Sequence, residues 1–167
     1  MMARASGGPA ETDAGPQVVK RAADKDDVLK DLVDRGSPFP TYRDALVFAA
    51  ALGWHQKRRV PLGKAAGEPI RWSTMTNRLG TEDLVDMIAT AASDDPQILT
   101  APRLSERIKI FEEYSNGGLE YLKTALASRG AASVTNVVND VVRRAMRPPE
   151  ESEAPELDAF VQGLDLG

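Results

Sequence analysis

The chain contains no cysteine and one histidine, His55. The first absence excludes disulfides, thiolate metal sites, iron–sulfur clusters and cysteine nucleophiles together. The second leaves a single residue to serve any serine–histidine–aspartate triad, in a chain without a G-x-S-x-G nucleophile turn. A lone histidine is also a poor anchor for zinc. No G-x-G-x-x-G occurs, and Gly63-Lys64 is followed by Ala65, where a phosphate-binding loop would place a magnesium-binding hydroxyl. No carboxylate stands two residues before a lysine, the local end of many metal-dependent nuclease sites. Glu112-Glu113 is a pair able to ligate a metal, but on an amphipathic helix such a pair reads as a solvated face. These absences predict a non-catalytic protein with no cofactor and no bound metal. No apolar run approaches the roughly 20 residues that span a bilayer. The opening residues, MMARASGGPAETDAGPQ, lack the apolar core of a signal peptide. The expectation is therefore a cytoplasmic protein without membrane association.

What is present centres on Phe39–Leu62, FPTYRDALVFAAALGWHQKRRVPL. Thr41 and Asp44 have the spacing of an N-cap and its acidic partner three residues on. Every residue from Ala45 to Leu52 is apolar, which predicts a core helix with neighbours all round it. Gly53 weakens that helix near its end, and Pro61 prevents its continuation. Lys57, Arg58 and Arg59 then follow the helix C-terminus, where the macrodipole favours cations. Two readings of this cluster stand side by side: helix capping and solubility, or an anion-binding loop.

The same stretch, together with IFEEYSNGGLEYL at Ile110–Leu122, resembles the DNA phosphorothioation-associated protein 4 family, also called dnd system-associated protein 4. The resemblance runs from about Val28 to Leu126. It implies a role in bacterial phage defence, beside genes that place sulfur in the DNA backbone or restrict DNA lacking it. The family is defined by that association, so the resemblance supplies context rather than catalytic residues.

The formal net charge is −4, and its distribution is uneven. Phe39–Gly80 carries Arg43, Lys57, Arg58, Arg59, Lys64, Arg71 and Arg78 against only Asp44 and Glu68. Pro148–Gly167 carries Glu150, Glu151, Glu153, Glu156, Asp158 and Asp165 and no cation. A basic middle and an acidic tail can attract each other or serve separate partners.

Periodicity predicts a mainly α, compact bundle of about five helices around the buried central one, with room for one short strand pair. Residues 1–23, rich in Gly, Ala, Pro and charge, are expected to be a disordered tail, and 24–147 a single helical domain. Asp24–Arg35 is a short helix ended by Gly36. Ile70-Arg71-Trp72 is a candidate strand. Thr81 should cap a helix over Glu82–Ala92. Arg103–Asn116 reads as an amphipathic helix with Glu112 and Glu113 outside. Asn116-Gly117-Gly118 should break it, and Leu119–Ser128 should resume after a hairpin or kink. Ser133–Met146 carries a valine stripe at helical spacing. Residues 148–167 form an acidic, proline-rich tail in which Leu157, Phe160, Val161 and Leu164 have the spacing of a short helix that docks into a partner's groove.

Two functions follow. Lys57, Arg58 and Arg59, helped by Lys64, Arg71 and Arg78, would contact DNA phosphates, with Trp54 or Trp72 available to stack on a base or sugar. The acidic tail would then be able to cover the basic loop. Alternatively, the loop or the tail peptide holds a protein of the modification or restriction machinery, which the overall acidity favours.

Overall fold

A computed structural model describes residues 16–130 and 132–148. Strand β1 (Val18–Val19) opens them and pairs antiparallel with β2 (Ile70–Arg71), Val18 opposite Arg71 and Val19 opposite Ile70. Helices α1 (Asp26–Val33), α2 (Tyr42–His55), α3 (Trp72–Thr76), α4 (Thr81–Ser93), α5 (Leu104–Ser128) and α6 (Val134–Ala145) make up the rest of the regular structure. The fold is mainly α with one small sheet. β1 lies within the stretch that composition reads as a tail. Its pairing continues in the hydrogen bonds Ala23 N–H to the Lys64 carbonyl (2.8 Å) and Ala66 N–H to the Arg21 carbonyl (3.0 Å). The Gly63–Pro69 turn is thereby tied to the start of the domain.

α2 starts where its cap predicts. The Thr41 hydroxyl accepts from the Asp44 N–H at 3.2 Å and donates to the Asp44 carboxylate at 2.7 Å. Burial raises the Asp44 carboxyl, but the Thr41 hydrogen bond and the charges of Arg78 and Arg43 outweigh it and hold the group below its usual range. Ala45, Leu46, Ala49, Ala50, Leu52 and Gly53 are buried, whereas Ala51 is exposed and Val47 and Phe48 are half-buried. The helix is thus covered on most sides rather than all.

The principal correction concerns α5. It is one continuous helix of 25 residues, about 37 Å long, and Asn116-Gly117-Gly118 lies in its middle rather than at a break. The glycines serve a close crossing. A Cβ on Gly118 would lie 1.8 Å from the Ala49 carbonyl oxygen of α2, and one on Gly53 would lie 2.0 Å from the Tyr114 carbonyl oxygen of α5. Ala45, Ala49 and Gly53, four residues apart, make the matching row of small side chains on α2. Ser115 donates its hydroxyl to the Leu46 carbonyl at 3.1 Å within this buried contact. The α2–α5 contact is the most extensive in the molecule. Each mid-helix glycine costs about 1 kcal/mol against alanine, and the packing of two backbones offsets it.

Because α5 is surrounded at its centre, Arg107, Glu112 and Glu113 are buried, not on a solvated face. Arg107 pairs with Asp86 of α4 at 2.7 Å. α4 begins at Thr81 itself: Gly80, at φ 85°, occupies the cap position, and Thr81 is buried in the first turn. Asp95 accepts from the Gln97 N–H at 2.9 Å and starts a short 3-10 turn, Pro96–Leu99. Ser133 caps α6 by accepting from the Asn136 N–H at 3.2 Å, and Val137, Val138 and Val141 bury the predicted stripe.

Candidate nucleic-acid interface

α2 ends in a left-handed turn that presents the basic cluster. The Arg58 N–H donates to the Gly53 carbonyl at 2.8 Å and the Lys57 N–H to the Trp54 carbonyl at 3.0 Å. These are the paired bonds of a Schellman terminus, with Lys57 at the position that glycine normally takes. Lys57 accordingly sits at φ 53°. A non-glycine residue there costs on the order of 1 kcal/mol. Lys57→Gly is therefore expected to raise stability by about 0.5–1 kcal/mol in denaturant unfolding while removing one exposed cation.

α5 cradles the loop that follows. The Val60 N–H donates to the Glu113 carbonyl at 3.1 Å. Arg59 Nε meets the Glu113 carboxylate at 2.6 Å, and its guanidinium carbon lies 5.9 Å from the Tyr114 ring centre. The Asn116 amide donates to the Pro61 carbonyl at 2.9 Å. A Cβ on Gly117 would lie 2.0 Å from the Arg58 carbonyl oxygen. The FEEYSNGG stretch is thus the seat of the KRRVP loop, which is why the two motifs belong together.

The six predicted cations do not form one patch. Lys57, Arg58 and Arg59 are together at the C-terminal end of α2. Arg78 reaches Asp44 at 2.5 Å, at the other end of α2, roughly 20 Å away along the helix axis. Lys64 and Arg71 are exposed beside the sheet. Among the described residues Lys57, Lys64 and Arg71 have no carboxylate partner. Arg58 is held loosely, 3.8 Å from Glu120 and 5.6 Å from the Tyr121 ring. Arg58 also lines a pocket of about 200 Å³ with Arg129 and Arg144, between α5 and α6. Asp140 neutralises Arg129 at 2.7 Å, and Arg144 has no carboxylate partner among the described residues. Arg144 stands in the last turn of α6, where the helix dipole favours a cation. Its meeting with Arg58 depends on how α6 packs against α5, which spacing along the chain does not disclose.

His55 is exposed at the end of α2, with Gln56 Nε2 3.3 Å from its Nδ1. Trp72 is half-buried at the start of α3. Leu157, Phe160, Val161 and Leu164 lie outside the described residues. Among the described residues no three His, Asp or Glu side chains gather as a metal site requires.

A larger cleft, about 680 Å³, runs between Pro16–Lys20, Pro61–Ala65 and the Ser105–Glu113 face of α5. Glu112 lines it and accepts from the Lys20 N–H at 2.5 Å. Burial raises the Glu112 carboxyl, opposed by that N–H and the Lys20 charge and reinforced by Glu113. The native state then holds this proton at pH values where the unfolded chain has released it. The contribution to stability is greatest below the ordinary value of 4.5 and is lost as pH rises through the folded value. Glu112→Gln keeps the acceptor for Lys20 and is expected to flatten this fall in a series of denaturant midpoints from pH 4 to 8.

A family model described as DNA sulphur modification system-associated protein 4 matches residues 18–160. The chain belongs to that family. The match extends beyond the Val28–Leu126 stretch that carries the sequence resemblance, and takes in β1 and α6. Curated proteins and solved structures yield no match. Membership associates the chain with DNA sulphur modification and with the machinery that performs it. No helix among the described residues of this family member is long and apolar enough to cross a membrane.

Proposed function

We propose that this family member is a non-catalytic, cytoplasmic accessory protein of a bacterial DNA phosphorothioation system acting in phage defence, and that it contacts DNA phosphates through Lys57, Arg58 and Arg59. The observation that carries the reading is the αL conformation of Lys57. A lysine stands where glycine would be more stable, with its side chain exposed, no carboxylate beside it among the described residues, and two arginines following. Backbone strain kept at such a position points to use of the side chain. Arg144 extends the positive surface across the pocket shared with Arg58. Such contacts position a protein on DNA without reading base sequence.

The experiment is a titration of labelled DNA with the full chain over a salt series, run beside the Lys57→Ala/Arg58→Ala/Arg59→Ala variant. Salt-sensitive binding that the variant loses supports the reading. Equal binding by both proteins, or none at low salt, removes it.

A second reading, a protein-interaction subunit without DNA contact, is favoured by a different face. Met87 is 68% exposed on α4 beside half-exposed Leu99, next to Asp83 and Asp86. The net charge of −4 fits a protein partner as well. On this reading Met87→Lys abolishes co-purification with the modification or restriction proteins, whereas the loop variant retains it.

A further inference from the structure

We propose that Trp54 is a stacking platform for an unpaired base, so that the preferred ligand of the basic loop is single-stranded nucleic acid. This rests on the phosphate-contact reading above and adds the class of strand.

Among the described residues Trp54 is the one aromatic side chain in the set of exposed large hydrophobics; the others are Leu79, Met87, Leu99 and Met146. It is 39% exposed in the last turn of α2, and its own carbonyl accepts the Lys57 N–H that closes the helix. The indole is fixed rather than free. It meets Tyr114 edge-on, with ring centres 5.2 Å apart and planes at 64°. Tyr114 is itself buried in α5, and on it also rests the Arg59 guanidinium, which Glu113 holds. One buried ring therefore positions both the exposed indole and one of the loop cations. The Gly53–Tyr114 backbone contact beneath them makes the arrangement part of the rigid helix crossing.

A flexible nucleic-acid strand alternates phosphate and base at every residue. A protein that binds it without sequence preference needs cations for the first and an aromatic face for the second. The loop supplies both within one helix end. A duplex keeps its base faces stacked on each other, so an aromatic platform gains nothing from it. The competing explanation is that Trp54 only covers Tyr114. The two differ in one respect: a cover does not discriminate between strands.

The test uses the full chain with a labelled oligodeoxythymidine and a labelled duplex of equal length, at fixed low salt. The proteins are the parent, Trp54→Ala, Trp54→Phe and the Lys57/Arg58/Arg59 alanine variant. The parent is expected to bind the single strand more tightly. Trp54→Ala should lose roughly 5- to 150-fold on the single strand, the range found for one stacked base, and little on the duplex. Trp54→Phe should retain most of the affinity. In a Trp72→Phe background the remaining indole fluorescence should be quenched by the single strand and not by the duplex. This last readout holds even if Trp54→Ala is poorly folded. Equal affinity for both strands, with no quenching and no effect of Trp54→Phe or Trp54→Ala, overturns the inference while leaving the phosphate reading intact. Unchanged binding by the loop variant overturns both.

Discussion

Gly118→Ala is expected to lower the melting temperature by roughly 10 °C. The added methyl would stand 1.8 Å from the Ala49 carbonyl oxygen and 2.6 Å from its carbon. Both are backbone atoms in the middle of a helix, so no flexible side chain can swing aside, and α2 and α5 must separate. Overpacking of a core costs about 1–3 kcal/mol and at times more, and here the collision is with backbone. Against this, alanine is the better helix former by about 1 kcal/mol. For two rigid backbones the steric term lies above that range, at about 4 kcal/mol, and leaves a net loss of about 3 kcal/mol. Gly130→Ala is the control. Gly130 has no atom within 4 Å of a built Cβ, and only its φ of 58° opposes the change. It should cost about 1 kcal/mol. Thermal unfolding followed by circular dichroism distinguishes the two. Equal, small effects would mean that the helices do not cross this closely. Separation of α2 from α5 would also pull Arg58 from Gly117 and Pro61 from Asn116, so Gly118→Ala should weaken ligand binding without touching a cation.

The Lys57→Ala/Arg58→Ala/Arg59→Ala variant should lose most DNA affinity while keeping its fold. Each phosphate contact contributes about 0.9 to the salt slope on duplex and about 0.7 on single strands. Three contacts then account for a slope of about 2–3 and, on duplex, a roughly 40-fold loss of affinity between 50 and 200 mM salt. The structural cost is small at Arg58 and larger at Arg59. Arg58 and its partner Glu120 are each 44% exposed, a solvent-screened pair that contributes about 0–1 kcal/mol. Arg59 is 41% exposed, but its partner Glu113 is 11% exposed and would lose its counter-charge. A variant that unfolds would therefore signal a structural use of the loop, and one that folds but does not bind signals the proposed use.

Much of the fold is legible from local chemistry. The Thr41 and Asp44 cap and the Ser133 start follow from residues that satisfy their own neighbours' backbone groups. Asn116-Gly117-Gly118 did not read correctly because the same residue types serve two purposes. As a local signal, Asn-Gly-Gly ends a helix. Inside α5 the two glycines admit another backbone, and that need is set by Ala49 and Arg58, more than 50 residues away along the chain. Glu112 and Glu113 misled for the same reason: their partners, the Lys20 N–H and Arg59, are distant in sequence. Of the site, the cluster Lys57–Arg59 was visible as composition, but its separation from Arg78 was not. The helix length between them becomes a distance only when Asp44 is seen to hold Arg78 at the opposite end of α2. The αL conformation of Lys57 had no sequence signal, since lysine is not a residue that marks such a turn.

The most direct test of the account is the slope of log binding constant against log salt for the full chain and its loop alanine variant on the same labelled DNA. The account predicts a steeper slope for the parent, by about 2–3, with the difference in affinity vanishing toward high salt. Equal slopes, or a parent that fails to bind DNA at low salt, would contradict it and leave the exposed face around Met87 and Leu99 as the functional surface.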